Sequence, residues 1–207
     1  MDIIRNYFPS LTDKQYHQLY QLHDLYAFWN NQINLISRKD IDNLYLNHVL
    51  HSLSIAKLIS FKENTTILDV GTGGGFPGIP LAILFPSANF HLIDSIGKKI
   101  RVVENVIQET GLENTTCAQM RAEEVPSKYD FIVSRAVTAL PQFYQWVSKK
   151  GKKNSFNDLA NGILYLKGGD IEKELQETPA KKIFPYPIST WYSEEYFSQK
   201  YIIHIPL

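Results

Sequence analysis

Apolar residues recur every three or four positions between Ser10 and Asn30, where Leu19, Leu22, Tyr26 and Trp29 share one helical face. "SLTDKQ" opens this run and offers Thr12 or Asp13 as its N-cap. A polar stretch, "NNQINLISRKD", separates it from a second helical pattern over Ile41 to Ser60, whose apolar face carries Ile41, Leu44, Tyr45, His48, Ile55 and Ile59. After "FKENTT" the period changes. "TILDVG", "NFHLIDS", "YDFIVSRAV" and "GILYLKGG" read as strands, and "TTCAQMRAEEV" holds a further strand, the third, and a loop. Between them, "PGIPLAILF", "KKIRVVENVIQETG" and "LPQFYQWVSKK" read as helices, the second stopped by Gly111. The helix "DIEKELQET" follows the fifth strand, and "AKKIFPYPIS" with "QKYIIHIPL" predicts a closing antiparallel pair. Strands alternating with helices predict an α/β fold: a mostly parallel, doubly wound, Rossmann-like sheet of seven strands. Residues 1–64 form an N-terminal helical cap on this reading, and residues 65–207 form the α/β domain, the two making one unit.

Composition narrows the classes. Length, 207 residues, suits one domain with an appended element, and 44% hydrophobic residues supply a core. Lys plus Arg and Asp plus Glu both equal 21, so the net charge is zero. Phosphate contacts must then come from local patches rather than from bulk charge. A single cysteine, Cys117, excludes an internal disulfide and a cysteine-based zinc cluster. No apolar run is long enough to span a bilayer and no signal peptide opens the chain, so a cytoplasmic protein without a membrane partner is expected.

"ILDVGTGGGFPGIPLA" carries the chemistry. In an open parallel sheet the ligand sits beyond the carboxyl ends of the strands, and the loop after the first strand lies there. Glycines in that loop allow positive φ and a close backbone approach. Gly73, Gly75 and Gly78 satisfy the dinucleotide pattern G-x-G-x-x-G, so a nicotinamide oxidoreductase is one reading. Three features oppose it. Gly71 precedes the pattern, Pro77 and Pro80 remove N–H groups that a pyrophosphate needs, and Asp69 would repel a pyrophosphate. Asp69, Gly71, Gly73 and Gly75 instead give D-x-G-x-G-x-G. An acid at Asp69 can orient the loop and face a cationic group, which suits S-adenosylmethionine, a donor with a sulfonium, an ammonium and no phosphate. Asp94, ending the second strand, can accept from two ribose hydroxyls, a feature both cofactors share. Ala122 leaves room for an adenine, and Glu123 can orient the loop after the third strand.

In order, "NLIS", "HVLHSL", "DVGTGGGFPGIPLA", "LIDSIGKKIRVV", "RAEEV", "VSRAV" and "LKGG" resemble the RsmG family, also named glucose-inhibited division protein B. The resemblance runs from about Asn34 to Gly169, and "GFPGIPLA" and "VSRA" are its most specific pieces. It implies a class I S-adenosylmethionine-dependent methyltransferase that modifies guanine N7 in 16S ribosomal RNA of the small subunit. It also implies cofactor contacts at Gly71, Phe76, Ala122, Glu123 and Arg135. Two departures stand out: His51 occupies a position where the family usually carries an acid, and "SKKGKKNSFND" has no counterpart.

Guanine N7 has a lone pair and no proton, so its attack on a methyl group needs no general base. Catalysis should come from proximity and in-line alignment, with no catalytic nucleophile and no metal. Arg135, at a strand end, could hold a cofactor carboxylate or an RNA phosphate, or stack on a base, and Ser134 beside it reads as a loop residue. His48 reads as a buried, hydrogen-bonded histidine, with packing against the cofactor loop as the alternative; His51 and Ser52 are weaker candidates. Phe76 reads as exposed, free to stack on a base or wall the cofactor, with packing under the loop as the alternative. For RNA phosphates the candidates are Lys98, Arg101, Lys149, Lys150, Lys152, Lys153 and Lys167, with Arg38, Lys39 and Lys99 in support. A non-catalytic RNA-binding or assembly module is the remaining alternative. A monomer is expected.

Overall fold

The computed structural model describes every residue except Asn34, Ile36, Ser37, Arg38, Lys39 and Ala136. Helix α1 spans Asp2–Tyr7, which no pattern above announced, and α2 spans Asp13–Asn30. Thr12 caps α2: its hydroxyl accepts from Gln15 N while the Gln15 side chain accepts from Thr12 N, satisfying two end donors reciprocally. The Ile41 to Ser60 pattern folds less regularly than predicted. A π-helical segment, Leu44–Leu50, runs into two short helices, α3 (His51–Leu53) and α4 (Ile55–Leu58). The hydroxyls of Ser52 and Ser54 donate to His48 O and His51 O, and such back-bonding competes with the regular ladder.

The alternating elements follow: β1 (Thr66–Val70), α5 (Gly78–Leu84), β2 (Asn89–Asp94), α6 (Gly97–Thr110), β3 (Thr115–Gln119), β4 (Phe131–Arg135), α7 (Leu140–Val147), β5 (Gly162–Gly168), α8 (Glu172–Glu177), β6 (Phe184–Pro187) and β7 (Lys200–Pro206). Gly111, at φ +62°, ends α6 as its left-handed cap. The seven strands are ordered β3-β2-β1-β4-β5-β7-β6. The first five are mutually parallel, and β7 lies antiparallel to both β5 and β6. The closing pair is therefore wedged into the sheet, with β7 inside and β6 at the edge.

Strand alternation divides the core into two layers. Ile67, Phe131, Val133, Leu164 and Leu166 pack on one face with Leu22, Tyr26, Leu50 and Val103. Leu68, Ile132, Ile163 and Tyr165 pack on the other with Leu140, Phe143 and Val147. The N-terminal helices thus share a continuous core with α5 and α6 on one side of the sheet.

Candidate functional site

The strand order reverses between β1 and β4, and a cavity of about 440 Å³ opens at the carboxyl ends of the central strands. Residues 70–74 after β1, 93–96 at β2, 120–123 after β3, and Arg135 and Val137 after β4 line it. Leu35 and Trp146 complete the wall. Of the sequence candidates, Gly71, Gly73, Phe76, Asp94, Ala122, Glu123 and Arg135 meet here, together with Lys99.

Gly73 is the open position of the loop. Its φ is +59° and a Cβ there would meet no protein atom within 4 Å, so the backbone is bare toward the space. Gly75 does not line the cavity. Its φ is +100°, and a Cβ would collide with the Ile79 side chain beneath the loop. Asp69 is likewise set back. It is fully buried, and Oδ2 accepts from Thr72 Oγ1 at 2.6 Å and from Gly78 N at 2.8 Å. It braces the loop and does not face a cationic ligand, because those donors draw it inward.

The same hydrogen bonds dispose of a pyrophosphate. Gly78 N is taken by Asp69, Ile79 N by Gly75 O and Leu81 N by Pro77 O, while Pro77 and Pro80 have no N–H. The first turn of α5 offers no free donor to a phosphate.

Burial pushes the Asp69 carboxyl up to about 7, an effect only partly offset by its hydrogen bonds and by Arg135. The raised value means that the folded state holds this proton where the unfolded chain has lost it. Between pH 4 and pH 7 this carboxyl therefore lowers stability as pH rises, and above the folded value the loss is complete. Relative to Asp69→Asn, the wild type should lose stability progressively across that window. Denaturant midpoints measured against pH check this, and parallel curves for the two proteins would refute it.

Asp94 joins two walls. Oδ2 accepts from Gly73 N at 3.0 Å and Oδ1 from Ile96 N at 2.9 Å, leaving further lone pairs toward the cavity. Ala122 is buried behind the floor, whereas Glu123 is exposed at the rim. Ile96 and Val137, both about two-fifths exposed, put apolar surface into the space. Neither was found from sequence, although each lies within two residues of a strand end, which is the signal that would have found them.

Arg135 sits beneath this floor. Its guanidinium donates to His48 Nδ1 at 2.8 Å and to Asn47 O at 3.3 Å, and lies 5.2 Å from the Phe76 ring centroid. Burial lowers its pKa, with the charge kept by its neighbours. A guanidinium can only donate, so His48 Nδ1 accepts and Nε2 carries the proton. Burial and Arg135 push His48 down to about 3, so it is neutral. Phe76, read as exposed, is 3% exposed and packs against Tyr26 and His48. The loop folds back and carries the ring under itself. Ser134 is no loop residue but a buried member of β4, its hydroxyl donating to Val70 O at 2.7 Å. His51 is buried too, with its ring edge-on to Tyr196.

The basic candidates scatter. Lys150 Nζ donates to Glu123 O and Val125 O, and Lys152 pairs with buried Asp130 at 3.0 Å. Lys152 sits beside the amino ends of β1 and β4, where its backbone bonds Tyr129, so it is turned away from the cavity, while Lys150 reaches only the backbone of the rim residue Glu123. Lys98 and Arg101 are exposed on α6. Lys167 is paired with Glu174 at 2.8 Å. Arg38, Lys39, most of "NLIS" and Ala136 of "VSRA" lie outside the described residues.

The geometry fits S-adenosylmethionine: an open glycine backbone, a carboxylate at the end of β2, apolar residues for a purine, and no free backbone donor for a pyrophosphate in the first turn of α5. Solved structures agree in fold. A SAM-dependent methyltransferase from Aquifex aeolicus superposes with a TM-score of 0.55 at 14% identity, covering 75% of this chain and 89% of that one. MtNAS in complex with S-adenosylmethionine superposes with a TM-score of 0.57 at 10% identity, covering 93% and 76%. Sequence relatives are much nearer. Ribosomal RNA small subunit methyltransferase G of Cytophaga hutchinsonii is 55% identical over 100% of this chain and 99% of its own length. The protein of that name from Flavobacterium johnsoniae is 55% identical over 100% and 98%. The family model for GidB, rRNA small subunit methyltransferase G, matches residues 15–193. With its class I methyltransferase fold, its donor-shaped cavity and these full-length relatives, the chain belongs to the rRNA small subunit methyltransferase G family.

Proposed function

We propose that this chain methylates N7 of a guanine in 16S ribosomal RNA of the small subunit, using S-adenosylmethionine, and that it does so as a cytoplasmic monomer. The observation that carries the reading is the cavity over Gly73 and Asp94 in a chain of this family. No described helix is long and apolar enough to cross a membrane, in keeping with a ribosomal substrate.

Bound there, S-adenosylmethionine supplies an electrophilic methyl carbon on its sulfonium. Gly73, beside Gly71, would admit the donor to the loop backbone, Asp94 would accept from its ribose, and Ala122 with Ile96 would bound its purine. Asp69 holds the loop in that shape from behind. An N7 lone pair needs no proton removed, so the residues' task is alignment. His48 accords with this: its Nδ1 lone pair is spent on Arg135, which keeps Phe76 in place under the loop.

Labelled methyl transfer to small subunits from a strain lacking the protein tests the reading. N7-methylguanosine is cationic, so the labelled site should become open to chain cleavage after borohydride reduction and aniline. Label that resists cleavage would refute N7, and the absence of label on any ribosomal RNA would refute the activity.

A further inference from the structure

A second cavity, of about 270 Å³, adjoins the first, and Arg135 lines both. Three cations reach it from three strands: Arg135 from β4, Lys167 from β5 and Lys200 from β7. Lys167 is neutralised by Glu174. Lys200 forms no salt bridge among the described residues; its Nζ lies 5.0 Å from the Tyr196 ring centroid. The fold makes room for this ammonium. Lys200 is paired in register with Gly168, and a Cβ on Gly168 would stand 2.7 Å from Nζ. Asp40 is the acid on the lining. His48 and His51, both on the wall, stay neutral because burial and Arg135 hold their pKa values down.

We propose that this second cavity holds a backbone phosphodiester of the RNA beside the target guanine, gripped by Arg135 and Lys200. The proposal rests on the reading of the chain as a ribosomal RNA methyltransferase. Charge decides between phosphate and base. Methylation at N7 leaves the purine cationic, and a base placed between Arg135 and Lys200 would develop that charge against two like charges. A phosphodiester there satisfies both donors, and its negative charge eases the same step. The shared Arg135 puts phosphate and donor on either side of one side chain, which registers the nucleotide against the methyl group.

Wild type, Lys200→Gln and Lys200→Arg are compared by filter binding to transcribed 16S ribosomal RNA across a salt series, and by methyl-transfer kinetics on small subunits. For Lys200→Gln, RNA affinity should fall about ten-fold and the log–log salt slope should shrink by about 0.7, the loss of one phosphate contact on single-stranded RNA. KM for the subunit should rise in step, with the effect on KM rather than kcat, and S-adenosylmethionine affinity by calorimetry should not move. Lys200→Arg should restore most of the loss, which a folding defect would not allow. An unchanged salt slope and KM would overturn the proposal, as would a fall in kcat at unchanged KM, which would make the cavity the base pocket. Wild type that binds the RNA but transfers no methyl would defeat the parent reading alone, since the salt slopes still decide the phosphate site.

Discussion

Replacing Asp94 with alanine is expected to weaken S-adenosylmethionine binding by about 100-fold while leaving the protein folded. The carboxylate ties the glycine loop to the start of α6 through Gly73 N and Ile96 N, one oxygen to each. A hydrogen bond to a charged group contributes about 1.5–3 kcal/mol, and water entering an open cleft recovers part of it. Losing both bonds and the ribose acceptor leaves a deficit near 2.7 kcal/mol, which is about a hundred-fold in Kd. Asp94→Asn keeps one carbonyl oxygen and turns a donor toward the other N–H, so it should fall between the two. Calorimetric titration measures all three proteins, and affinity within three-fold of wild type in the alanine variant would remove Asp94 from the site.

Arg135→Ala should lower kcat/KM for methyl transfer by about 100-fold or more, with a smaller effect on donor affinity. The guanidinium supports Phe76 and occupies His48 Nδ1 and Asn47 O at once. Without it, a buried imidazole nitrogen loses its donor and the ring under the loop loses its neighbour. That also costs about 1–3 kcal/mol of stability. Arg135→Lys should not rescue transfer, because an ammonium is a point donor and lacks the planar fork that reaches both partners. Steady-state kinetics with small subunits decide it, and full activity in the lysine variant would show that only charge is needed.

Most of the architecture was legible because its signals are local. The switch from helical to strand period after "FKENTT" marked the start of the sheet, and Gly111 marked the end of α6. The glycine loop was legible for the same reason: strand, acid, glycine and proline lie within one short run. What escaped depends on how distant segments meet. The exposure of Phe76 was misread because burial is set by Tyr26 and His48, which lie 50 and 28 residues away in sequence. Asp69 was identified as a loop-orienting acid, but whether it also faced the ligand depended on Thr72 and Gly78 turning inward. The lysines around Gly151 form a conspicuous run, yet Lys152 is spent on a buried aspartate at the far end of the sheet. Lys200, alone in its segment, carries no pattern and reaches its cavity only through strand pairing.

Tyr26, in the C-terminal half of α2, donates its phenol proton to Gly74 O in the middle of the glycine loop. Helix α2 is therefore a strut of the loop as well as part of the packing beneath it. A change in that turn is therefore felt at Tyr26, and if a contact on α2 alters donor binding, reciprocity requires the donor to alter that contact by the same factor. Aromatic side chains stand outward on that helix at Tyr20 and Phe28, so one hydroxyl joins the element that carries this exposed surface to the glycine loop.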